Sequence, residues 1–240
     1  MSKVILVTGG NTGIGFELVK LLAQKPTVEK VYLGARNPKA GGDANSRERS
    51  LSNVEFLQID VTDPASIGAA KEYIEKKDGR LDGLVNNAAL GEFDKNQKAT
   101  EIDIGLLRQV MEANLFGLIQ TTVAFISLLR KSPEAAILNV SSELGSNSSQ
   151  SKSGQFHAVA YNASKAAVNS YTIALAHELK EDGIKVNAAT PGYTQTRMTG
   201  YNEIARSSKE GAESLAPWVL LDKDGPTGSF FDPHGKEFPW

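Results

Sequence analysis

Residues 7–22, VTGGNTGIGFELVKLL, carry the strongest fold signal in this chain of 240 residues. An apolar run at 3–8, KVILVT, leads into glycines at positions 9, 10, 13 and 15, and a pattern with helical spacing follows. Glycines allow a sharp turn and let a ligand approach the backbone. The start of the helix offers free N–H groups and a positive dipole end, which favour a phosphate anion. The segment predicts a strand–turn–helix unit that binds a pyrophosphate, and the alternative is a glycine-rich turn without a ligand.

The same alternation continues along the chain. Short apolar runs predict strands at 3–8, 30–35, 54–59, 81–86, 135–140 and 185–190. Helical spacing lies between them, near 14–25, 64–77, 101–130 and 161–181. Several of the strand runs are apolar throughout, as expected where helices cover both faces of a sheet. We therefore predict one α/β domain over residues 1–240, with a doubly wound parallel sheet and helices on both faces.

Composition narrows the function classes. The chain has a net charge of −2 and no cysteine, so neither a polyanion partner such as nucleic acid nor disulfide chemistry is expected. The N-terminus lacks the pattern of a signal peptide, and no run approaches the roughly 20 apolar residues that cross a bilayer. The three histidines lack metal-ligand spacing. We expect a cytoplasmic protein with no membrane segment and no metal, with polar loops at 37–50 and 143–156.

Polar residues follow the second, third and fourth predicted strands. Nucleotide-binding folds of this kind often place an acid after the second strand, where it binds the adenosine ribose; this chain has Ala35 and Arg36 instead. An arginine can bind a 2′-phosphate with two hydrogen bonds, although a solvent-exposed loop arginine is the alternative. Asp60 and Val61 follow the third strand and are candidates to frame an adenine. The NNAA motif at 86–89 ends the fourth, where turn capping is the competing interpretation.

A tyrosine and a lysine share one helical face near the middle of the chain. In AYNASKAAVNSY, residues 160–171, Tyr161 and Lys165 lie four positions apart. A lysine stem that covers a tyrosine ring on a surface helix is the ordinary explanation. The functional explanation is a phenol that exchanges a proton, with the nearby ammonium lowering its pKa.

Six motifs in order resemble the short-chain dehydrogenase/reductase family, and the narrower likeness is to its NADPH-dependent carbonyl reductases. They are TGGNTGIG at 8–15, NNAA at 86–89, Asn114 in MEANLFG, NVSS at 139–142, YNASK at 161–165 and PGYTQT at 191–196. The resemblance covers essentially the whole chain and implies a single Rossmann-fold domain. It also implies NADP as cofactor, a small-molecule carbonyl substrate, and reduction of a ketone or aldehyde to an alcohol.

The resemblance assigns roles to individual residues. Tyr161 would protonate the carbonyl oxygen, Ser142 rather than Ser141 would polarise it, and Lys165 would lower the phenol pKa and bind the nicotinamide ribose. Asn114, at an expected helix kink, would hold a water that connects Lys165 to solvent, or bond to a neighbouring strand. Besides Tyr161 and Lys165, the implied cofactor-binding residues are Gly9, Asn11, Thr12, Gly13, Ile14, Arg36, Asp60, Val61, Asn87, Ala88, Pro191, Gly192, Thr194 and Thr196.

Some features depart from the family pattern or leave alternatives. Thr12 stands where many carbonyl reductases carry a basic residue, so the expectation of NADP rests mostly on Arg36. The spacing from Ser142 to Tyr161 is longer than usual for the family, and residues 194–216 would form a substrate lid. An NAD-dependent alcohol or steroid dehydrogenase and a non-catalytic NADP-binding regulator are the alternatives. Neither the substrate's identity nor the choice between monomer and homo-oligomer follows from the sequence.

Overall fold

A computed structural model describes residues 2–47, 51–152 and 156–240. The seven strands form one parallel sheet in the order β3-β2-β1-β4-β5-β6-β7. The strands are β1 (Lys3–Thr8), β2 (Val28–Ala35), β3 (Val54–Gln58), β4 (Gly83–Asn86), β5 (Ala136–Val140), β6 (Lys185–Ala189) and β7 (Phe230–Phe231). The helices are α1 (Gly13–Ala23), α2 (Pro38–Arg47), α3 (Pro64–Lys77), α4 (Ile104–Met111), α5 (Gly117–Leu129), α6 (Asn147–Gln150), α7 (Val159–Glu178) and α8 (Ser208–Leu215). The predicted doubly wound α/β fold is confirmed.

Each face of the sheet has its own apolar core. Side chains alternate along a strand, so Val4 and Leu6 of β1 face one layer while Ile5 and Val7 face the other. The first layer contains α3, α5 and α7, and the second contains α1 and α8. Because both faces are covered, every residue of β1 is buried, which accounts for its continuous apolar run.

The strand order reverses between β1 and β4. β1 pairs with β2 on one side and β4 on the other, so the loops after β1 and β4 diverge and leave a crevice at their carboxyl ends. In doubly wound folds, ligands bind in this crevice. The topology therefore brings the glycine turn and the NNAA motif to the same place.

The segment 37–50 was predicted as a loop, and this prediction is wrong over the helix α2. Asn37 caps the helix, since its Oδ1 accepts from the backbone N–H groups of Lys39 (3.0 Å) and Ala40 (3.1 Å). Pro38 suits the first helical position because its missing N–H is not needed there. Residues 48–50 lie outside the described residues.

The loop predicted at 143–156 also contains ordered turns. A short 3-10 turn at Glu143–Gly145 precedes α6, and the Ser146 hydroxyl caps α6 by accepting from the Ser149 N–H at 3.1 Å. Serine is common both in loops and at the first residue of a helix, so the serine content of this segment does not tell a loop from a short helix. Residues 153–155 of this segment lie outside the described residues.

The helical segment predicted at 101–130 is divided by a π-helical turn, Glu112–Phe116, between α4 and α5. Its 26 residues, Ile104–Leu129, are long and apolar enough to cross a bilayer, contrary to the expectation from the sequence. Half of the most apolar window is buried in the fold, where Phe125, Leu128 and Leu129 are fully buried beneath the sheet. Core packing accounts for the buried half of this composition, while Ile104, Phe116 and Val123 are exposed.

Candidate active site

The glycine turn is held in shape by the end of β4. The Asn87 side-chain amide donates to the backbone oxygens of Thr8 at 2.9 Å and Gly9 at 3.3 Å. The Thr8 hydroxyl oxygen accepts from the N–H groups of Asn87 (3.0 Å) and Ala88 (3.1 Å) and donates to the Val85 carbonyl. Asn87 and Ala88 thus hold the glycine turn in place through hydrogen bonds to Thr8 and Gly9.

The start of α1 is open to an anion. Gly9 and Gly13 adopt φ values of +65° and +54°, and a Cβ at Gly15 would lie 2.4 Å from the Gly9 oxygen, so the helix closes tightly on the turn. Thr12 precedes the helix in an extended conformation, and its exposed side chain makes no capping hydrogen bond. No carboxylate lies in the first helical turn. Asn11 and Ile14, also expected at the cofactor, are half-buried in this turn.

The residues after β2 and β3 lie at the next two strand ends. Arg36 is exposed and forms no hydrogen bond or ion pair with the part of the chain that the structure describes. The Asp60 carboxylate turns back on its own loop and accepts from the Thr62 N–H (2.9 Å) and hydroxyl (2.8 Å). The Val61 backbone oxygen accepts from the Gln120 side chain. Arg36 is therefore available to a ligand, whereas the Asp60 carboxylate shapes the loop.

The two serines after β5 have different surroundings. Ser141 is 2% exposed, and its hydroxyl donates to Asn169 Oδ1 at 2.6 Å. The Ser142 oxygen accepts from the Leu144 N–H at 3.2 Å, and the Ser142 side chain lies near enough to the Tyr161 phenol to lower its pKa. Ser141 is committed to holding α7, so Ser142 is the serine placed beside the phenol.

Tyr161 and Lys165 are both buried on one face of α7, with 8% and 3% of their surfaces exposed. Lys165 Nζ lies 5.8 Å from the centre of the Tyr161 ring and donates to the Val140 carbonyl oxygen at 2.7 Å. The expected side-chain cluster of Ser142, Tyr161 and Lys165 is therefore assembled by the end of β5 and the first turns of α7.

The pKa of Tyr161 differs from expectation. Burial raises the pKa of Tyr161 to about 12, and the hydrogen bond to Ser142 offsets only part of this effect. Burial also lowers the pKa of Lys165 to about 8. The expected net lowering of the phenol pKa is wrong for the protein alone, because loss of hydration outweighs the effect of the Lys165 charge. A phenol with a high pKa stays protonated at neutral pH, which is the form needed to donate a proton.

Asn114 lies in the π-helical turn and is fully buried. Its Oδ1 accepts from the Leu90 N–H at 2.7 Å, and its Nδ2 donates to the Leu90 carbonyl (2.9 Å) and the Ser164 hydroxyl (3.0 Å). The π-helical turn lies where the helix kink was expected. In this structure Asn114 connects the loop after β4 to α7, whereas the alternative interpretation expected a bond to a neighbouring strand.

The PGYTQT segment crosses in front of the glycine turn. The Thr194 hydroxyl donates to the backbone oxygens of Pro191 and Gly192, and Gly192 adopts a φ of +73°. The Thr196 Cγ2 lies 3.3 Å from the position a Cβ would take at Gly13. These four residues thus close one side of the site at the start of α1.

The proposed lid, 194–216, contains two different parts. The Gln195 N–H donates to the Arg206 carbonyl (2.7 Å) and the Arg206 N–H donates to the Tyr193 carbonyl (3.0 Å), so the ends of the loop at 196–205 are joined. The second part, α8, packs against α1 with Ala212 and Leu215 fully buried. A lid motion would therefore be confined to 196–205, and the lid itself stays a prediction.

Sequence reasoning missed Gln97, which is only 5% exposed. Ala158 offers no side-chain cap to α7, and Gln97 supplies the acceptors: its backbone oxygen for the Val159 N–H (3.1 Å) and its Oε1 for the Tyr161 N–H (3.2 Å). Gln97 lies in a polar stretch, EFDKNQKATEID, without periodicity, so no sequence signal identified it.

Comparison with known proteins agrees with this geometry. The family model for short chain dehydrogenases matches residues 3–206. A (+)-neomenthol dehydrogenase of Capsicum annuum is 30% identical, over 96% of this chain and 95% of that protein. A benzil reductase ((S)-benzoin forming) of Saccharomyces cerevisiae is 32% identical, over 93% of this chain and 80% of that protein. The NADPH-bound carbonyl reductase from chicken fatty liver superposes with a TM-score of 0.88 at 28% identity, over 100% of this chain and 99% of that chain.

Proposed function

Because the chain belongs to the short-chain dehydrogenase family, we propose that it reduces a ketone or aldehyde to an alcohol with NADPH. The observation that carries the proposal is the cluster of Ser142, Tyr161 and Lys165 at the end of β5, the strand next to β4. The cluster lies at the carboxyl ends of the parallel strands, where doubly wound folds bind nucleotides.

The residues at the crevice fit a dinucleotide. The uncapped start of α1, with no carboxylate in its first turn, suits the pyrophosphate. Arg36, exposed and without a partner among the described residues, suits an adenosine 2′-phosphate and favours NADP over NAD. Val61 and the Asp60 loop would flank the adenine, and the segment from Pro191 to Thr196 would border the nicotinamide. The NADPH-bound structure of the similar chicken carbonyl reductase supports this assignment.

The chain's own residues supply the acid and the oxygen-binding group. When bound, the reduced nicotinamide supplies a hydride to the carbonyl carbon. The Ser142 hydroxyl donates a hydrogen bond to the carbonyl oxygen, and Tyr161 Oη donates the proton that completes the alcohol. Tyr161 is protonated at neutral pH, as an ordinary tyrosine is, and burial raises its pKa further. This direction of proton transfer fits reduction of a carbonyl.

Lys165 and Asn114 support the acid. The buried Lys165 ammonium places a positive charge beside the phenol, and it stabilises the phenolate left after proton transfer. Since its pKa is lowered to about 8, Lys165 is also able to return a proton near neutral pH. Asn114 fixes the loop after β4 against α7 and so keeps the two walls of the site in register.

The test combines turnover with cofactor binding. We expect the protein to consume NADPH with at least one member of a panel of ketones, quinones and aldehydes. Tyr161→Phe removes the proton and keeps the ring, so kcat should fall by about 10²–10⁴ while the Kd for NADPH is unchanged. The matched control is Tyr171→Phe, the same substitution on the same helix. Near-normal turnover by Tyr161→Phe would contradict the mechanism. Consumption of NADH but not NADPH would favour the NAD-dependent alternative.

The cytoplasmic location expected from the sequence stays a prediction.

A further inference from the structure

Three aromatic rings from different segments form a row that begins at Tyr161. The ring of Phe93, in the loop after β4, lies 5.0 Å from the Tyr161 ring at 72°. The ring of Phe156, just before α7, lies 5.7 Å from Phe93 at 78°. These are edge-to-face contacts, and they run from a phenol that is 8% exposed to Phe156, which is 52% exposed. Phe93 therefore lies half-buried between the buried phenol and the exposed ring of Phe156.

The loop that carries Phe93 is held in one conformation. The buried Gln97 amide donates to the backbone oxygens of Gly91 (2.8 Å) and Glu92 (2.9 Å). Glu92 adopts a φ of +51°, a left-handed conformation that a side-chain-bearing residue takes only where its surroundings impose it. The Oε1 of the same side chain accepts from the Tyr161 backbone N–H, so the loop that carries Phe93 is joined to the helical turn that carries the phenol.

The proposed lid meets this loop. A Cβ at Gly91 would lie 2.6 Å from Met198 Cγ and 2.9 Å from a Phe93 ring carbon, so Met198 and Phe93 flank the same small position. A thioether next to an aromatic ring makes a polarisable surface. Three more large apolar residues in the segment after β6 are exposed: Tyr193, Tyr201 and Ile204.

We propose that Phe93 determines substrate specificity, by packing against the flat ring of an aryl ketone whose carbonyl oxygen meets Tyr161. This proposal rests on the proposed reduction of a carbonyl and names the substrate class. A flat conjugated ring presents a face or an edge to Phe93 at the spacing that aromatic pairs prefer, whereas a puckered saturated ring of similar size does not. One such contact corresponds to about a three- to tenfold difference in kcat/KM.

The experiment uses two methyl ketones with matched six-membered rings, acetophenone and cyclohexyl methyl ketone. The quantity compared is the ratio of their kcat/KM values in the wild type and each variant, because the intrinsic reactivities of the two ketones cancel between variants. In Phe93→Leu, the kcat/KM for acetophenone divided by that for cyclohexyl methyl ketone should fall about three- to tenfold, mainly because the KM for acetophenone rises. Phe93→Tyr keeps a flat ring and should retain the wild-type ratio. The control Phe56→Leu, on β3, should also leave it unchanged.

A ratio in Phe93→Leu within twofold of the wild-type value would overturn the proposal, as would an equal loss in Phe93→Tyr. Binding gives a readout that does not need turnover. Ligand-observed NMR should give a lower Kd for acetophenone than for cyclohexyl methyl ketone, and Phe93→Leu should remove the difference. If no ketone is reduced but this difference is seen, the proposed function fails and the role of Phe93 in binding stands. Equal binding of both ketones by the wild type would refute that role.

Discussion

Gln97 is the residue whose replacement tests the architecture of the site most directly. Its side chain joins the loop after β4 to the first turn of α7 with three hydrogen bonds, two to backbone oxygens of the loop and one from the Tyr161 N–H. Gln97→Met keeps the length and approximate volume of the side chain and removes all three bonds. The substitution therefore measures the effect of losing the hydrogen bonds without the added effect of creating a cavity.

The expected cost follows from the burial of these groups. Each hydrogen bond contributes about 0.5–1.5 kcal/mol, and a buried partner left unsatisfied costs about 1–3 kcal/mol. Methionine returns part of this through apolar contact. We therefore expect Gln97→Met to lower the free energy of unfolding by about 2–4 kcal/mol. Because Tyr161 is in the turn that loses its acceptor, kcat should fall roughly 10-fold or more.

The assay pairs urea denaturation with kinetics on a ketone substrate. The Kd for NADPH should be unchanged, because the glycine turn is held by Asn87 and not by Gln97. Lys98→Met is the matched control: the neighbouring side chain is exposed, and both measurements should stay near the wild-type values. A Gln97→Met variant with a loss below about 1 kcal/mol and unchanged kcat would refute the reasoning that Gln97 positions the acid.

Three further predictions concern the cofactor, pH and the lid. Arg36→Ala should reduce the preference for NADPH over NADH, measured as kcat/KM, by about 10-fold; this is the low end for a charge-assisted pair, because Arg36 is exposed. The double variant Ala35→Asp with Arg36→Ala should favour NADH. An unchanged preference in Arg36→Ala would exclude Arg36 from cofactor selection. The folded-state pKa of Lys165 is about 8, below its unfolded value of 10.5, so between these two pH values wild-type stability relative to Lys165→Met should rise by about 1.4 kcal/mol per pH unit, measured by urea denaturation; a flat or falling difference in this window would contradict the reasoning. Amide hydrogen exchange should slow at 196–205 when NADPH and a ketone bind, while α8 (208–215) stays protected throughout; equal exchange at 196–205 in both states would argue against a lid.

Local patterns were sufficient to predict the layers of the fold. Apolar runs located six strands, and only their ends moved: β2 begins at Val28 rather than at residue 30, and β4 begins at Gly83 rather than at residue 81. The seventh strand, Phe230–Phe231, was missed because two residues are too short to show an alternating pattern. Its place in the sheet is set by pairing with β6, a contact between distant parts of the chain.

The candidate site was predictable where spacing within one element defines it. Tyr161 and Lys165 were found because residues four apart share a helical face. Gln97 was not found, because its bond to Tyr161 joins residues 64 positions apart and leaves no periodic trace. The pKa of Tyr161 was predicted in the wrong direction for a related reason. The neighbouring charge is visible in the sequence, but the burial that outweighs it depends on the packing of the whole site.

The π-helical turn also connects the length of a core helix to the geometry of the site. Such a turn contains one residue more than the α-helical turn it replaces, and the helices on either side keep their faces. Removing one residue, such as the half-exposed Phe116, would restore a continuous α-helix with α5 still packed beneath the sheet. The shortened chain would lose the offset that aims Asn114 at the backbone of Leu90, and with it the buried hydrogen bonds between the loop after β4 and α7. The length of this helix therefore sets where the loop that borders the site is anchored.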